Sequence, residues 1–249
     1  MKITSILNLK GGTGKTTTSV AMIELLSRKE RVLGIDNDKQ GNLSQAFKRY
    51  TPERMIGSSV MLLTGKTRGN ILHTENPCID IIPCNIYMEK AEKEVLLGNV
   101  AQHDRYQKAL SELVGYERCI IDNPPDIGMN VVNALIASDE IIIPINLDNY
   151  SLDGMVEMMS QIQNITEINR KANLTGILIT DFEKTEAALQ AEEWLRKEYG
   201  KRIFSIKIRH SRQAKDATLC QVPVTQYSSR CGATQDYKKF IEEYLRRER

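Results

Sequence analysis

Short apolar runs alternate with longer amphipathic stretches along the 249 residues. Residues 3–9, 31–36, 79–82, 118–122, 140–145, 174–179 and 202–206 read as strands, most of them nearly continuous in apolar side chains. A half-exposed antiparallel sheet would alternate apolar with polar positions, whereas continuous runs suit a parallel sheet covered on both faces. Between the runs, residues 16–29 place Val20, Ile23 and Leu26 on one helical face. Residues 154–170 and 183–199 have the length of right-handed crossover helices. The pattern predicts an α/β fold: a doubly wound, mostly parallel sheet with helices on both faces, in three layers. Its site is expected outside the carboxyl ends of the strands. No period of 20–50 residues and no low-complexity segment is present, so repeat architectures are excluded.

Composition narrows the class. With 41% hydrophobic and 27% charged residues the chain sits near the globular average. A chain of this size buries roughly 70–75% of its accessible surface on folding. One domain over residues 1–249 is expected, held by an ordinary core. The longest apolar stretches, such as Ile141–Ile143, are far short of the about 20 residues a spanning helix needs. No tripartite secretory signal opens the chain, and a cytoplasmic protein is expected. Cys78, Cys84, Cys119, Cys220 and Cys231 include no CxxC pair and no zinc-finger spacing, which points to reduced, packed thiols. Basic and acidic residues nearly balance, 34 against 32, so nucleic-acid binding would need a locally basic face.

Candidate chemistry begins directly after the first strand. Lys10-Gly11-Gly12-Thr13-Gly14-Lys15-Thr16-Thr17 opens a helix, and Gly-Thr-Gly-Lys-Thr within it is a Walker A segment. Its glycines let backbone N–H groups turn inward around phosphate oxygens, and the helix N-terminus adds a fixed positive pole. Lys15 is placed to neutralise the β and γ phosphates and the Thr16 hydroxyl to ligate Mg²⁺. The run Arg118-Cys119-Ile120-Ile121-Asp122-Asn123-Pro124-Pro125 ends an apolar strand in one carboxylate. That puts Asp122 at the carboxyl edge of the sheet, in reach of the Mg²⁺ shell.

These motifs resemble the ParA/Soj family of partition ATPases, in the MinD-like branch of P-loop proteins. The likeness extends through Ile35-Asp36-Asn37-Asp38-Lys39-Gln40, 81–85, 133–140, Tyr150-Ser151-Leu152-Asp153-Gly154 and a late segment from Ile206 through Arg230 to Gly232. Lys10, five residues before Lys15, resembles the extra lysine of deviant Walker A loops, which in that group reaches the nucleotide of the partner subunit. The resemblance implies that Asp38 orients the attacking water and that Asp36 supports the switch and the Mg²⁺ shell. It implies an ATP-dependent homodimer that binds double-stranded DNA without sequence preference. Hydrolysis is then weak until DNA and a ParB-type centromere-binding partner stimulate it, in a cytoplasmic, nucleoid-associated protein. Three features depart from the family pattern. Asp126 stands where a small or hydroxyl residue is usual, 209–212 replaces the usual segment near the adenine, and the chain begins at its first strand, with no N-terminal helix-turn-helix expected.

Basic residues gather late, at Lys197, Lys201, Arg202, Lys207, Arg209, Arg212, Lys215 and Arg230, interleaved with Glu192, Glu193, Glu198 and Asp216. Lys201, Arg202, Arg209, Arg212, Lys215 and Arg230 are the candidate DNA contacts, since phosphate binding needs only cations on a shared surface. The alternative is a MinD-like membrane-associated ATPase, which would require a free C-terminal amphipathic helix. Tyr237, Phe240, Ile241, Tyr244 and Leu245 fall at helical spacing, but the stripe reads more simply as the core face of a closing helix, with no membrane partner. An iron–sulfur carrier lacks its cysteine pattern. A nucleotide-gated scaffold without turnover is the remaining class.

Overall fold

Val32–Asp36 and Arg118–Asp122 are buried at every position, as strands covered on both faces must be. A computed structural model, which describes residues 1–98, 103–147, 160 and 172–247, makes them β2 and β5 of one seven-stranded sheet. The others are β1 (Lys2–Ile6), β3 (Leu72–His73), β4 (Ile79–Ile82), β6 (Glu140–Ile145) and β7 (Asn173–Ile179). Their order is β3-β4-β2-β5-β1-β6-β7, parallel throughout except for the β3–β4 pair. The expected doubly wound sheet is therefore present. The sequence of connections reverses direction across β1, between β5 and β6, which is where such sheets open their ligand crevice.

Helices α1 (Lys15–Leu26), α2 (Asn42–Ala46), α3 (Ser58–Thr64), α4 (Met88–Leu97), α5 (Arg105–Ser111) and α6 (Met129–Ala137) precede the masking of the sheet's outer half by α7 (Glu186–Tyr199). Then follow α8 (Arg212–Leu219), α9 (Val224–Tyr227) and α10 (Gly232–Arg247). One face of the sheet packs Ile6, Ile79, Ile81, Ile120 and Ile142 against α1, α9 and α10. The other packs Leu33, Ile35, Ile82 and Ile121 against α3 to α6, and Ile141, Ile143 and Ile179 against α6 and α7. The five cysteines are free thiols, Cys84 and Cys119 fully buried.

Five details differ from the sequence expectation. β1 ends at Ile6, and α1 stops at Leu26. The helix expected from residue 183 starts at Glu186, because Thr185 caps it by accepting the Ala188 N–H at 3.1 Å. Helix α1 is not one-faced: Thr18, Ser19, Val20, Ala21, Met22, Ile23 and Leu25 are all buried, since α10 covers the side turned from the sheet. Residues 202–206 form no named strand. A 3₁₀ turn occupies Gly200–Arg202, and only isolated bridges join Ile203 to Ile177 and Arg209 to Phe182. The Ser205 and Ile206 N–H groups donate instead to the Glu243 carboxylate at 2.9 and 3.0 Å, which takes them out of any ladder. The helix expected at 154–170, residue 160 apart, and the Tyr150–Gly154 motif lie outside the described residues.

Candidate nucleotide site

The loop between β1 and α1 is the centre of the site. Gly12 and Gly14 adopt φ of 73° and 76°, the left-handed region in which a side chain is strained, so glycine is required at these turns. Gly14 lies directly before α1, and the backbone N–H groups of 11–17 have no hydrogen-bond partner among the described residues. That is a cradle of donors at a helix N-terminus, the arrangement that receives an anion. The loop is anchored at its back. Thr180, at the end of β7, donates to the Thr13 carbonyl at 2.9 Å, and the Lys10 N–H donates to Asn8, itself held on the Pro144 carbonyl at 2.8 Å. Thr180 and Asn8 carry no motif, and sequence reasoning missed them.

Lys15 is buried, and its ammonium donates to the Lys10 carbonyl at 3.0 Å. Burial lowers its pKa from the ordinary lysine value, while Asp122, Asp38 and Asp126 act in the opposite direction. A partly desolvated cation beside three carboxylates gains strongly from a polyanion that replaces lost hydration. The side chain of Asp126 is exposed, yet close enough to bear on Lys15, Lys39 and Glu92.

Asp122 is fully buried at the carboxyl end of β5. Thr16 Oγ1 donates to its Oδ2 at 2.7 Å and Ser19 Oγ to its Oδ1 at 2.8 Å. Burial pushes its carboxyl up to about 6 against those hydrogen bonds. Asp36 stands beside it in register on β2. Its Oδ2 accepts both the Ser44 N–H and the Ser44 hydroxyl at 2.7 Å, and Oδ1 accepts the Asp38 N–H at 3.1 Å. Burial first and the Asp122 charge second raise it to about 8. Asp36 therefore fixes the turn into α2, with both of its oxygens engaged by the Asp38 N–H and by Ser44, one strand over from Asp122. Asp38 lines the cleft half-exposed, with Oδ1 accepting the Gln40 N–H at 2.9 Å.

Behind these acids runs a buried polar chain. Tyr106 donates to Asn37 Oδ1 at 2.8 Å, Asn37 donates to Asn123 Oδ1 at 2.9 Å, and Asn130 donates to the Asn37 carbonyl at 2.9 Å. It ties the two acid-bearing strand ends to α5 and α6. In the sequence, Asn37 shows only as a turn former between two acids.

The cleft of about 510 Å³ runs from Gly11–Thr17 and Asp38 past Asn42, Gln45 and Ala46 to Ala214, Ala217, Thr218, Leu219, Gln221, Val222 and Val224. This volume lies within the usual 300–1,000 Å³ of small-molecule sites. Its far end was not foreseen; the only signal was the small pair Ala214 and Ala217 at helical spacing.

The six basic candidates do not form one cluster. Lys201 and Arg202 lie beside the middle of β7, where Ile203 bridges Ile177, whereas Arg209 bridges Phe182 beyond the end of that strand. Arg209 grips Asp236 with two 2.6 Å bonds. Arg212 and Lys215 are exposed on α8, the helix whose Ala214 and Ala217 line the cleft, and Arg230 is exposed just before α10. Lys207 is bound to Glu192 and stacked 3.8 Å from the Phe182 ring centroid.

Strand, glycine loop, helix and flanking carboxylate together define a P-loop nucleotide-binding protein. The family model for the AAA domain matches residues 1–175, and the chain belongs to that family. Its resemblance to ParA/Soj partition ATPases runs end to end. The chromosome partitioning protein ParA of Caulobacter vibrioides is 28% identical over 100% of this chain and 96% of its own. The sporulation initiation inhibitor protein Soj of Bacillus subtilis is 28% identical over 97% of each. Among solved structures, cobyrinic acid a,c-diamide synthase of Mycobacterium smegmatis, with an ATP analogue and magnesium bound, superposes with a TM-score of 0.81 at 23% identity, covering 99% of this chain and 95% of that one. At that identity the match establishes the shared fold.

Proposed function

We propose that the protein is a partition ATPase that binds Mg·ATP in this cleft, dimerises on it, and couples hydrolysis to the movement of DNA. The observation that carries the reading is the Thr16–Asp122 contact of 2.7 Å beneath an amide cradle that holds Lys15 beside it. Oxygen donors on one side and inward N–H groups on the other fit a divalent cation bound to phosphate. Thr16 and Asp122 would hold Mg²⁺, with Asp36 supporting Asp122 from the adjacent strand. The ion would draw charge from the β and γ phosphates. The amides of 11–17 and Lys15 bind the triphosphate, and Asp38 holds a water in line with the γ phosphate, whose transfer to that water gives ADP and phosphate. Lys10 neutralises the triphosphate of the partner subunit, so occupancy governs dimer formation.

The dimer would bring two copies of Arg212, Lys215 and Arg230 to one surface, with Lys201 and Arg202 as a separate patch and Arg209 holding Asp236 in place. Doubling a set of exposed cations raises affinity for a polyanion without base contacts, which supports ATP-gated, nonspecific DNA binding. A ParB-type partner would stimulate turnover. Among the described residues no helix is long and apolar enough to cross a membrane. A cytoplasmic, nucleoid-bound protein is the location we infer.

Sedimentation velocity with Mg²⁺ and a nonhydrolysable ATP analogue tests the scheme. Wild type should shift to a dimer, Lys15→Ala should bind no nucleotide, and Lys10→Ala should bind nucleotide yet stay monomeric. With ATP itself, Asp38→Ala should remain dimeric long after wild type has dissociated. An unchanged wild-type profile, or an Asp38→Ala dimer that decays at the wild-type rate, contradicts the assignment.

A further inference from the structure

The buried polar run behind the acids has a direction that its backbone contacts fix. Asn123 Nδ2 donates to the Ile6 and Ile121 carbonyls at 3.2 and 3.4 Å. A carbonyl oxygen can only accept, so Asn123 must turn its Oδ1 toward Asn37. Asn37 must answer with its Nδ2, which leaves its own Oδ1 facing Tyr106. Tyr106 is thus the donor that ends the run. Burial pushes its phenol up from the ordinary value, which keeps it protonated and able to donate.

Asn37 is fully buried between Asp36 and Asp38. Its N–H donates to the Asp122 carbonyl at 2.9 Å, and its carbonyl accepts from the Asn130 side-chain amide at 2.9 Å. Both backbone groups and both ends of the side chain are therefore engaged, so the point at which Asp38 leaves the sheet is held from four sides. Three of these contacts come from the end of β5 and from α6; Tyr106 brings the fourth, from α5. Helix α5 is itself docked on α6, where Asn133 Oδ1 accepts the Arg105 and Tyr106 N–H groups at 2.9 and 3.3 Å. The phosphate loop is anchored elsewhere, on Thr180 and Asn8. The Asp38 turn and the triphosphate cradle thus rest on different supports.

Resting on the reading of Asp38 as the holder of the attacking water, we propose that Tyr106 is a positioning residue for hydrolysis. Its hydroxyl, 2.8 Å from Asn37 Oδ1, sets the turn that carries Asp38. Removing that hydroxyl leaves Asn37 Oδ1 a buried acceptor facing an apolar ring. The amide relieves this by rotating, which breaks its bond to Asn123 and slackens the turn. Misplacement of a reacting group by about 1 Å can lower a rate about a hundredfold, so a fraction of that shift at Asp38 is visible in turnover.

The test is single-turnover ATP hydrolysis by the full chain with Mg²⁺, beside calorimetric titration of a nonhydrolysable ATP analogue and urea unfolding of each variant. Tyr106→Phe should lower the hydrolysis rate about tenfold while affinity for the analogue stays within about twofold. Asn130→Leu, which removes the donor to the Asn37 carbonyl at nearly constant volume, should show the same split. Tyr116→Phe is the control: it loses a 2.6 Å bond to Asp80 near the amino end of β4, and should lower stability with the rate unchanged. A Tyr106→Phe variant that hydrolyses at the wild-type rate, or that loses rate and affinity in equal measure, overturns the proposal. Should Tyr106→Phe fail to fold, the split or its absence in Asn130→Leu decides in the same way. Wild type that binds the analogue and never hydrolyses ATP defeats the hydrolase reading itself and the positioning role with it.

Discussion

Replacing Asp122 with asparagine exchanges a buried carboxylate for an amide of almost the same shape, and the structure sets the size and sign of the effect. Burial raises the Asp122 carboxyl from 3.8 to about 6. At about 1.4 kcal/mol per pH unit, keeping it ionised in the native state above pH 6 costs about 3 kcal/mol relative to the unfolded chain. The sign follows from proton binding. Between pH 4 and 6 the native state holds this proton and the unfolded state has lost it, so stability falls as pH rises through that window and stays lower above it. The amide removes the cost but turns one donor toward a hydroxyl. Ser19 can adapt, because its Oγ already donates to the Lys15 carbonyl at 3.0 Å and can accept from the new amide; the residual loss is about 1 kcal/mol. Asp122→Asn is therefore expected to be about 2 kcal/mol more stable than wild type at pH 8 without Mg²⁺, and equal or slightly less stable at pH 4. Urea unfolding at the two pH values measures both numbers. In the same variant, stabilisation of the fold by Mg·ATP should drop to the level given by ATP in EDTA, since Thr16 loses its anionic neighbour. A variant less stable than wild type at pH 8, or a difference that does not change with pH, would refute the account of Asp122 as a desolvated carboxylate retained for its ligand.

Three further outcomes follow from single contacts. Gly57→Ala places a Cβ 1.8 Å from the Pro83 carbonyl oxygen at φ of 66°; a loss of about 3 kcal/mol or more in urea unfolding is expected, and a loss under 1 kcal/mol contradicts the backbone geometry. Tyr237→Phe removes the 3.1 Å bond between the Tyr237 and Thr18 hydroxyls inside the core, at a cost of about 1 kcal/mol without any change in nucleotide affinity. Charge reversal at Arg212, Lys215 and Arg230 should abolish ATP-dependent DNA retention and flatten its salt dependence, whereas reversal at Lys201 and Arg202 alone should leave most of it; filter binding across a salt series distinguishes the two patches.

The phosphate loop is legible in the sequence because all its parts are contiguous: glycines at the two strained turns, the lysine, the hydroxyl, and an apolar strand before them. Asp122 is legible for the same reason, as the only acid ending a strand-length apolar run between 118 and 122. The far end of the cleft is not, because Gln45 and Gln221 meet across 176 residues and neither belongs to a pattern. The short helices α2 and α3 were also hidden, being one or two turns long with no room for periodicity. Residues 202–206 misled through their apolar content: Glu243, 37 residues away, decides where their N–H groups point. Local pattern reports which surfaces want burial, and a distant carboxylate can still choose the backbone's partner.

The last helix shows how burial chooses between two uses of one amphipathic stripe. Tyr237, Phe240, Ile241 and Tyr244 are the residues a membrane-seeking helix would expose, and in this fold each is at least nine-tenths buried. Phe240 packs edge-on against Phe204 with ring centroids 4.9 Å apart, and the Tyr244 hydroxyl donates to Glu140 at 2.7 Å. Fully burying side chains of this size contributes about 1.5–3 kcal/mol each, so peeling α10 away would forfeit on the order of 10 kcal/mol. That matches the whole stability of an ordinary domain, about 5–15 kcal/mol. It would also uncover α1, the helix that begins at Lys15 and Thr16, and thus the phosphate loop's own support. A helix so placed supports the nucleotide site from behind, through α1; lipid binding through this stripe would require dismantling the site whose occupancy was meant to control it.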